Sequence, residues 1–337
     1  MFTTLRFGIG AANYMPLDTY SSITIREDLA DAENLITPTE TPFMSTIAGK
    51  GPAATKQYVE WPLLALQPVD STNRVIEGLP NPPVDNSDVA ARRGNYTQIS
   101  DKVVSVSDTS QQVDGAANIE KISKQIAYKL KELKRDKETM ITGVALGVAG
   151  ASGATARSAA GLQSWIMTNY SAGAGAGAPP ALSSAAGSKY PATAPVAGTP
   201  RALSEDLLNT AIQGCWVQGG TPRYVLCSPI NKRLISKTFT GSAATGKFQM
   251  QEDKKIITAV NFYESDFGVV QIVPDRFTPG NAVFVLDPDY VDMVDLQPTR
   301  QLELARTGHA ENRLIQSEYT LKVGNEAAHA CIADTQG

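Results

Sequence analysis

Apolar side chains return at spacings of three, four or seven residues along Ile119, Ile122, Ile126, Leu130, Leu133 and Met140. That period is one stripe of an α-helix. Asn118 suits its N-cap and Gly143 its end. The pattern therefore predicts a helix over 118–142. It would be about 35 Å long at 1.5 Å per residue. Its remaining faces carry Lys121, Lys124, Lys129, Lys131, Lys134, Arg135 and Lys137 against fewer acids. A charge run of this kind is ordinarily a solvated face. Ile122, Ile126, Leu130 and Leu133 are the expected core contacts.

Before this helix the pattern changes. Residues 55–110 are β-rich. Tyr58, Val59 and Trp61 form one candidate strand, and Tyr96, Ile99, Val103, Val104 and Val106 lie in a longer β-branched stretch. Between them, Leu79-Pro80-Asn81-Pro82-Pro83 cannot continue a ladder and reads as a tip. The prediction is a long two-stranded excursion. Such a ribbon is marginal by itself in water and needs a surface to lie on. Residues 1–48 form a poorly periodic arm with a short helical signal from Arg26 to Ile36. Its apolar residues, Phe43 and Met44 among them, must pack on their own body or on a neighbour.

Residues 203–290 alternate between the two periods. Ser204 caps a helix reaching Gln218, which Gly219-Gly220 stops. A buried strand, Tyr224–Cys227, leads to a helix opened by Pro229 and running through Leu234 and Ile235. Strands Ile256–Tyr263, Val269–Val273 and Val283–Leu286 complete a compact α/β unit with its own core. The tail, 291–337, leans to β, with Tyr319–Val323 and a last apolar segment from Ala327 to Ala333. Residues 171–200 are a low-complexity insert of Ala, Gly, Pro and Ser that cannot fold alone. A neighbouring subunit is its expected holder.

The chain has 337 residues, 42% of them hydrophobic. That supports about two domains and a real core. The net charge of −4 argues against a protein whose main task is to grip nucleic acid. Cys215, Cys227 and Cys331 are odd in number and far apart, so neither a disulfide framework nor a zinc site is indicated. The start of the chain does not read as a signal peptide, and no membrane-spanning helix is expected.

Candidate chemistry is thin. Gly241 to Lys247 satisfies GxxxxGK, but Phe248 stands where a magnesium-binding Ser or Thr belongs, and the motif follows a helix instead of a strand. It reads as a surface loop. His309 and His329 lack metal-ligand spacing, and His329 reads as a satisfied core histidine. Asp287 and Asp289 flank Pro288 as turn chemistry. Tyr14, Tyr20, Tyr96, Tyr170 and Tyr190 are scattered without basic interleaving. No catalytic residue, cofactor or metal is expected.

What remains is an order of parts: arm, β-excursion, long helix, insert, α/β unit. Several runs of residues sit along it. Arg26-Glu27-Asp28-Leu29 leads to Ile36-Thr37-Pro38-Thr39-Glu40-Thr41-Pro42-Phe43. Arg93-Gly94-Asn95-Tyr96-Thr97-Gln98 opens the returning strand, and Leu133-Lys134-Arg135-Asp136 lies late in the helix. Ser228-Pro229-Ile230-Asn231-Lys232-Arg233 opens the second helix of the α/β unit. Ser265-Asp266-Phe267-Gly268, Val273-Pro274-Asp275-Arg276-Phe277, Glu318-Tyr319-Thr320-Leu321 and Asn325-Glu326-Ala327-Ala328-His329 follow. Together they resemble phage major head proteins with the tailed-phage capsid, or Johnson, fold. The resemblance spans about residues 24–335, and the 171–200 insert has no place in it.

The resemblance implies an α+β fold. Its parts would be an N-terminal arm (1–48), an extended β-loop (49–113) and a peripheral domain beginning with a spine helix and the insert (114–202). An axial domain (203–290) and a peripheral return (291–337) would follow. It implies a major capsid protein that assembles with copies of itself as hexamers and pentamers. The icosahedral shell would enclose double-stranded DNA held without sequence preference. Portal and scaffold proteins are implied partners, with assembly in the host cytoplasm and residence in the virion. No membrane is involved. Leu79, Pro80, Pro82, Pro83, Arg92, Arg93, Phe43 and Met44 are the expected inter-subunit contacts. A cellular cargo-enclosing compartment of the same fold, a P-loop nucleotide-hydrolysing enzyme and a secreted β-rich adhesin are the alternatives.

Overall fold

The computed structural model describes residues 37–77, 90–113, 119, 121–184, 189–240, 260–306 and 308–336. The expected helix at Arg26–Ile36, the cap Asn118, the tip Leu79–Pro83, the GxxxxGK loop and the first part of the strand expected at Ile256–Tyr263 lie outside them.

In chain order, α1 (Pro42–Ile47) is followed by β1 (Tyr58–Leu63), β2 (Ala91–Tyr96), β3 (Gln98–Ser107) and a short α2 (Asp108–Gln112). Then come α3 (Ile122–Thr142), α4 (Leu162–Trp165), β4 (Tyr170–Ser171), β5 (Ala181–Leu182) and β6 (Pro191–Thr193). The α/β unit contributes α5 (Glu205–Val217), β7 (Tyr224–Cys227), α6 (Pro229–Thr240), β8 (Phe262–Ser265), β9 (Gly268–Pro274) and β10 (Ala282–Leu286). The chain returns through β11 (Val291–Glu303), β12 (Ala310–Val323) and β13 (Ala330–Ala333).

Two bodies emerge. The first is a six-stranded mixed sheet in the order β4-β13-β10-β7-β9-β8. One face packs Val225, Cys227, Val283, Val285 and Ile332 against Leu208, Ile212 and Ile235 of α5 and α6. The second is the three-stranded antiparallel sheet β11-β12-β3, with α3 laid along it. Leu133 is fully buried there against Val104, Val106 and Ile315, and Ile122, Ile126 and Leu130 are half-buried beside it. A third core joins the bodies: Trp61, Trp165, Phe284, Tyr319, Phe43 and Ile47 meet between the other face of the six-stranded sheet and the inner ends of β11 and β12.

Local chemistry explains the element ends. Ser204 accepts a hydrogen bond from Leu207 N at 3.2 Å, and Glu205 and Asp206 sit in the first turn of α5, where the helix dipole favours negative charge. Ser228 Oγ accepts from Asn231 N, and Pro229 opens α6.

Several expectations need correction. The stretch read as the returning ribbon strand is two strands. β2 pairs with β1, whereas β3 turns away to pair with β12, because Val104 and Val106 alternate onto the apolar stripe of α3. The last apolar segment supplies β13 to the six-stranded sheet, so that core draws on residues well beyond 290. The insert is held by its own chain: Asp334 Oδ2 accepts from Gly173 N at 3.0 Å and from Gly198 N at 2.9 Å. His329 is a core histidine, as expected: it is completely buried, its Nδ1 accepts from Asp287 N at 3.2 Å, and burial pulls its pKa down to about 4 against the opposing pull of Asp287 and the Tyr290 backbone.

α3 also buries two adjacent charges on different sides. Lys137 Nζ donates to Ser317 Oγ at 2.7 Å and lies 4.7 Å from the Tyr319 ring centroid. Glu138 accepts from Phe43 N and Met44 N, each at 2.8 Å, at the start of α1. Burial pushes Glu138 up to about 7; the two amides oppose the rise and Asp275 adds to it.

Two predictions follow from this packing. Leu133→Ala should cost roughly 2–5 kcal/mol in urea melts. Leu130→Ala should cost less, and exposed Lys134→Ala should stay within about 0.5 kcal/mol. The second concerns pH. An unfolded Glu138 titrates near 4.5 and the folded one near 7. Between those values the folded state holds a proton that the unfolded state has lost, so stability falls as pH rises and the burial penalty is complete above the folded value. Glu138→Gln has no such titration. Its melting temperature minus that of the wild type should therefore rise steadily from about pH 5 to about pH 8; a flat difference would refute the shift.

Candidate assembly surface

The root of the excursion is built from one run of sequence. Asn95 is completely buried. Its Nδ2 donates to Leu321 O at 2.8 Å and Ala160 O at 3.1 Å, and its Oδ1 accepts from Ala160 N at 2.8 Å. Thr97 Oγ1 donates to Glu318 Oε1 at 2.6 Å. Arg157 reaches the same oxygen at 2.5 Å, so the nearly buried carboxylate is paired and hydrogen-bonded. At Gly94 a Cβ would lie 2.5 Å from the Tyr58 ring and 2.8 Å from Val59 O, so only glycine lets β2 approach β1 this closely.

Beyond this root the apolar pattern inverts. Leu64, Leu66, Val69, Val75 and Ile76 follow β1 and are all exposed, Leu66 at 80% and Val69 at 98%. A row of large apolar side chains facing water marks a contact surface. Arg92 is exposed opposite Pro62, and half-buried Arg93 lies opposite Trp61. Among the described residues Arg93 Nε has no hydrogen-bond partner. The expected contacts Leu79, Pro80, Pro82 and Pro83 lie outside the described residues. Phe43 is not on this surface. It is buried in its own subunit's core, with half-buried Met44 packed beside it. The short α1 turns their side chains inward once Glu138 has taken their amides.

Two further apolar surfaces were not foreseen. On the three-stranded sheet, Val103 of β3, Leu314 of β12 and Leu302 of β11 stand directly opposite one another in register. They occupy the face away from α3, because Val104 and Ile315 occupy the α3 face. Val103 is 54% exposed, and Ile99 lies exposed on the same face. The alternation Ile99, Asp101, Val103, Ser105 carried the signal, but only the pairing with β12 shows which face is open. On the six-stranded sheet, Trp216 at the end of α5 is 53% exposed with its ring 5.4 Å from Phe267, and Phe262 and Val269 are exposed on β8 and β9.

Candidate chemical sites dissolve on inspection. Asp287 accepts from Asp289 N at 3.1 Å and from Thr221 N at 3.0 Å, and Arg223 pairs with both carboxylates. The three cysteines are buried free thiols, and burial pushes Cys215 and Cys227 up to about 12 and Cys331 upward as well. Among the described residues no His, Cys, Asp or Glu group could hold a metal, and no helix is long and apolar enough to cross a membrane. His309 is exposed beside Asp108, and its Nδ1 lies 3.2 Å from that carboxylate.

The fold is shared with solved phage shells. The capsid asymmetric unit of Cyanophage A-1(L) superposes with a TM-score of 0.65 at 13% identity, covering 93% of this chain and 98% of the other. A structure from Gordonia phage Cozz gives 0.60 at 12% identity, with 98% and 99% covered. The capsid of a native GTA particle gives 0.56 at 13% identity, with 99% and 100% covered. No curated protein sequence matches the chain. The family model of the SU10 major capsid protein matches residues 11–336. With nearly its whole length matched by that model and its fold shared with solved capsids, the chain belongs to the SU10 major capsid protein family, structural subunits of a phage capsid and not enzymes.

Proposed function

We propose that the chain assembles as hexamers and pentamers into an icosahedral shell around double-stranded DNA. The observation that carries this reading is the excursion, whose five large apolar side chains between Leu64 and Ile76 stand exposed among the described residues. Burying one such side chain fully is worth about 1.5–3 kcal/mol. A neighbouring copy is the cover with the right chemistry, and the row Val103, Leu314 and Leu302 is an apolar acceptor of the required kind. Arg92 and Arg93 flank the ribbon and can meet carboxylates across the contact.

DNA is held without sequence reading. Lys131 and Lys134 project from the exposed side of α3, and the chain as a whole is mildly acidic. Contacts of this kind act on phosphates and weaken with salt. Portal and scaffold proteins are the further partners, and assembly takes place in the host cytoplasm.

The test is a triple substitution, Leu66→Ser, Val69→Ser and Ile76→Ser. These side chains lie outside the three cores, so the melting temperature should stay within a few degrees of wild type. Sedimentation should show particles lost or sharply reduced. Normal particles from the variant would overturn the reading.

A further inference from the structure

We infer that the insert, residues 171–184 and 189–200, is a strut that fixes the direction in which the excursion leaves the subunit. The inference goes beyond shell formation, because it concerns the isolated chain.

The strut has two ends. At one end it is pinned to the close of the six-stranded sheet. One carboxylate oxygen of Asp334 takes both Gly173 N and Gly198 N, and Arg201 N donates to Asp334 O at 2.7 Å. Thr199 N closes the same end on Ala174 O at 2.9 Å. Gly173 is required there, since a Cβ would stand 2.0 Å from Thr199 O.

At the other end it meets the ribbon. Gly94 N, on the edge of β2 away from β1, donates to Lys189 O at 3.1 Å. The next residue, Tyr190, sets its ring edge-on to Tyr96 at 5.1 Å and to Tyr58 at 6.3 Å. Tyr58 and Tyr96 are themselves cross-strand partners with rings 4.7 Å apart. Tyr190 is held in place by its backbone: Ser183 N donates to its carbonyl at 2.8 Å, and the following Pro191 O accepts from Gly147 N at 3.0 Å. Between the ends, β5 pairs with β6 and Leu182 packs on the main core.

A two-stranded ribbon twists and bends readily. Asn95 and Thr97 fix where this one starts. A single set of side-chain anchors at Asn95 and Thr97 sets a position; a second contact beside it, on the edge of β2 away from β1, constrains the angle. The insert supplies that contact, and through Asp334 it refers the angle to the six-stranded sheet. Edge-to-face aromatic pairs are directional and attract beyond their burial, so they favour one orientation over its neighbours.

The experiment measures the angle directly. Ala91, at the far end of β2, and Gln213, on α5, are both exposed, and the three native cysteines are buried. Spin labels on Ala91→Cys and Gln213→Cys in the full-length unassembled chain report the distance between ribbon and sheet body. Four backgrounds are compared: otherwise wild type, Tyr190→Phe, Tyr190→Ala and Gly147→Ala. In the last, the new Cβ would lie 2.8 Å from the Tyr190 ring and displace it without removing it. The expected result is one narrow distance distribution in the first two and a clearly broader one in the last two, with melting temperatures within a few degrees. Equal widths in all four backgrounds would overturn the strut. If Tyr190→Ala fails to fold, Gly147→Ala decides alone: a narrow distribution there overturns the proposal and a broad one supports it. Because no shell is needed, a failure here is separable from a failure of assembly.

Discussion

A two-stranded ribbon cannot hold itself in water, and this subunit is organised around that constraint. Everything that makes the excursion possible lies at its root. Asn95 satisfies three hydrogen bonds inside the protein, so a buried amide that would otherwise cost stability becomes a positional lock. Glu318 serves Thr97 and Arg157 with one oxygen. These bonds join the ribbon to β12 and to the loop before α4, which lie far apart in sequence. With the root rigid, the apolar residues beyond it can remain exposed without the subunit collapsing onto them.

α3 performs the equivalent task for the body. Its stripe lies on the three-stranded sheet, and two charged side chains of its last turns reach in different directions. Lys137 goes to β11 and β12, where Thr299, Ser317 and the Tyr319 ring receive it, and burial lowers its pKa. Glu138 goes the other way and caps α1 with a carboxylate that, among the described residues, no cation faces at hydrogen-bond distance. Each charge is costly to bury, yet each is met by hydrogen bonds from a different element. The helix thus ties the segment leading from the arm, the sheet and the main core into one unit.

The periodic parts of this plan were legible in sequence. The stripe from Ile122 to Leu133, the cap Ser204 and the helix-opening Pro229 act locally, and local spacing reports them. The run Arg93 to Gln98 was visible as a family likeness, but the work of Asn95 and Thr97 was not, because their partners are Leu321 and Glu318. The same reason hid β3: a β-branched strand after β2 looks like its continuation until its pairing with β12 is known. The insert misled by composition. Ala, Gly and Ser cannot form a core, but backbone amides need no core when a single carboxylate, Asp334, can take two of them. Phe43 misled because an apolar residue in an arm looks the same whether its cover is its own body or another.

The placement of the open surfaces bears on the kind of assembly the subunit can form. The excursion, the Val103–Leu314–Leu302 row and the Trp216–Phe267 shelf stand on different elements and differ in shape. A single self-complementary patch would give an isologous dimer and stop there. Unlike patches must meet heterologously, so each bound copy leaves the next surface of the same kind free, and growth ends only when rotation closes it. In the proposed hexamers and pentamers, closure requires small changes of angle between the same surfaces. A ribbon with a fixed root is suited to that, because its far end can follow a neighbour while the cores that hold the subunit together stay unchanged. Many such contacts, each modest, then add through multivalency to a stable shell with no single strong bond.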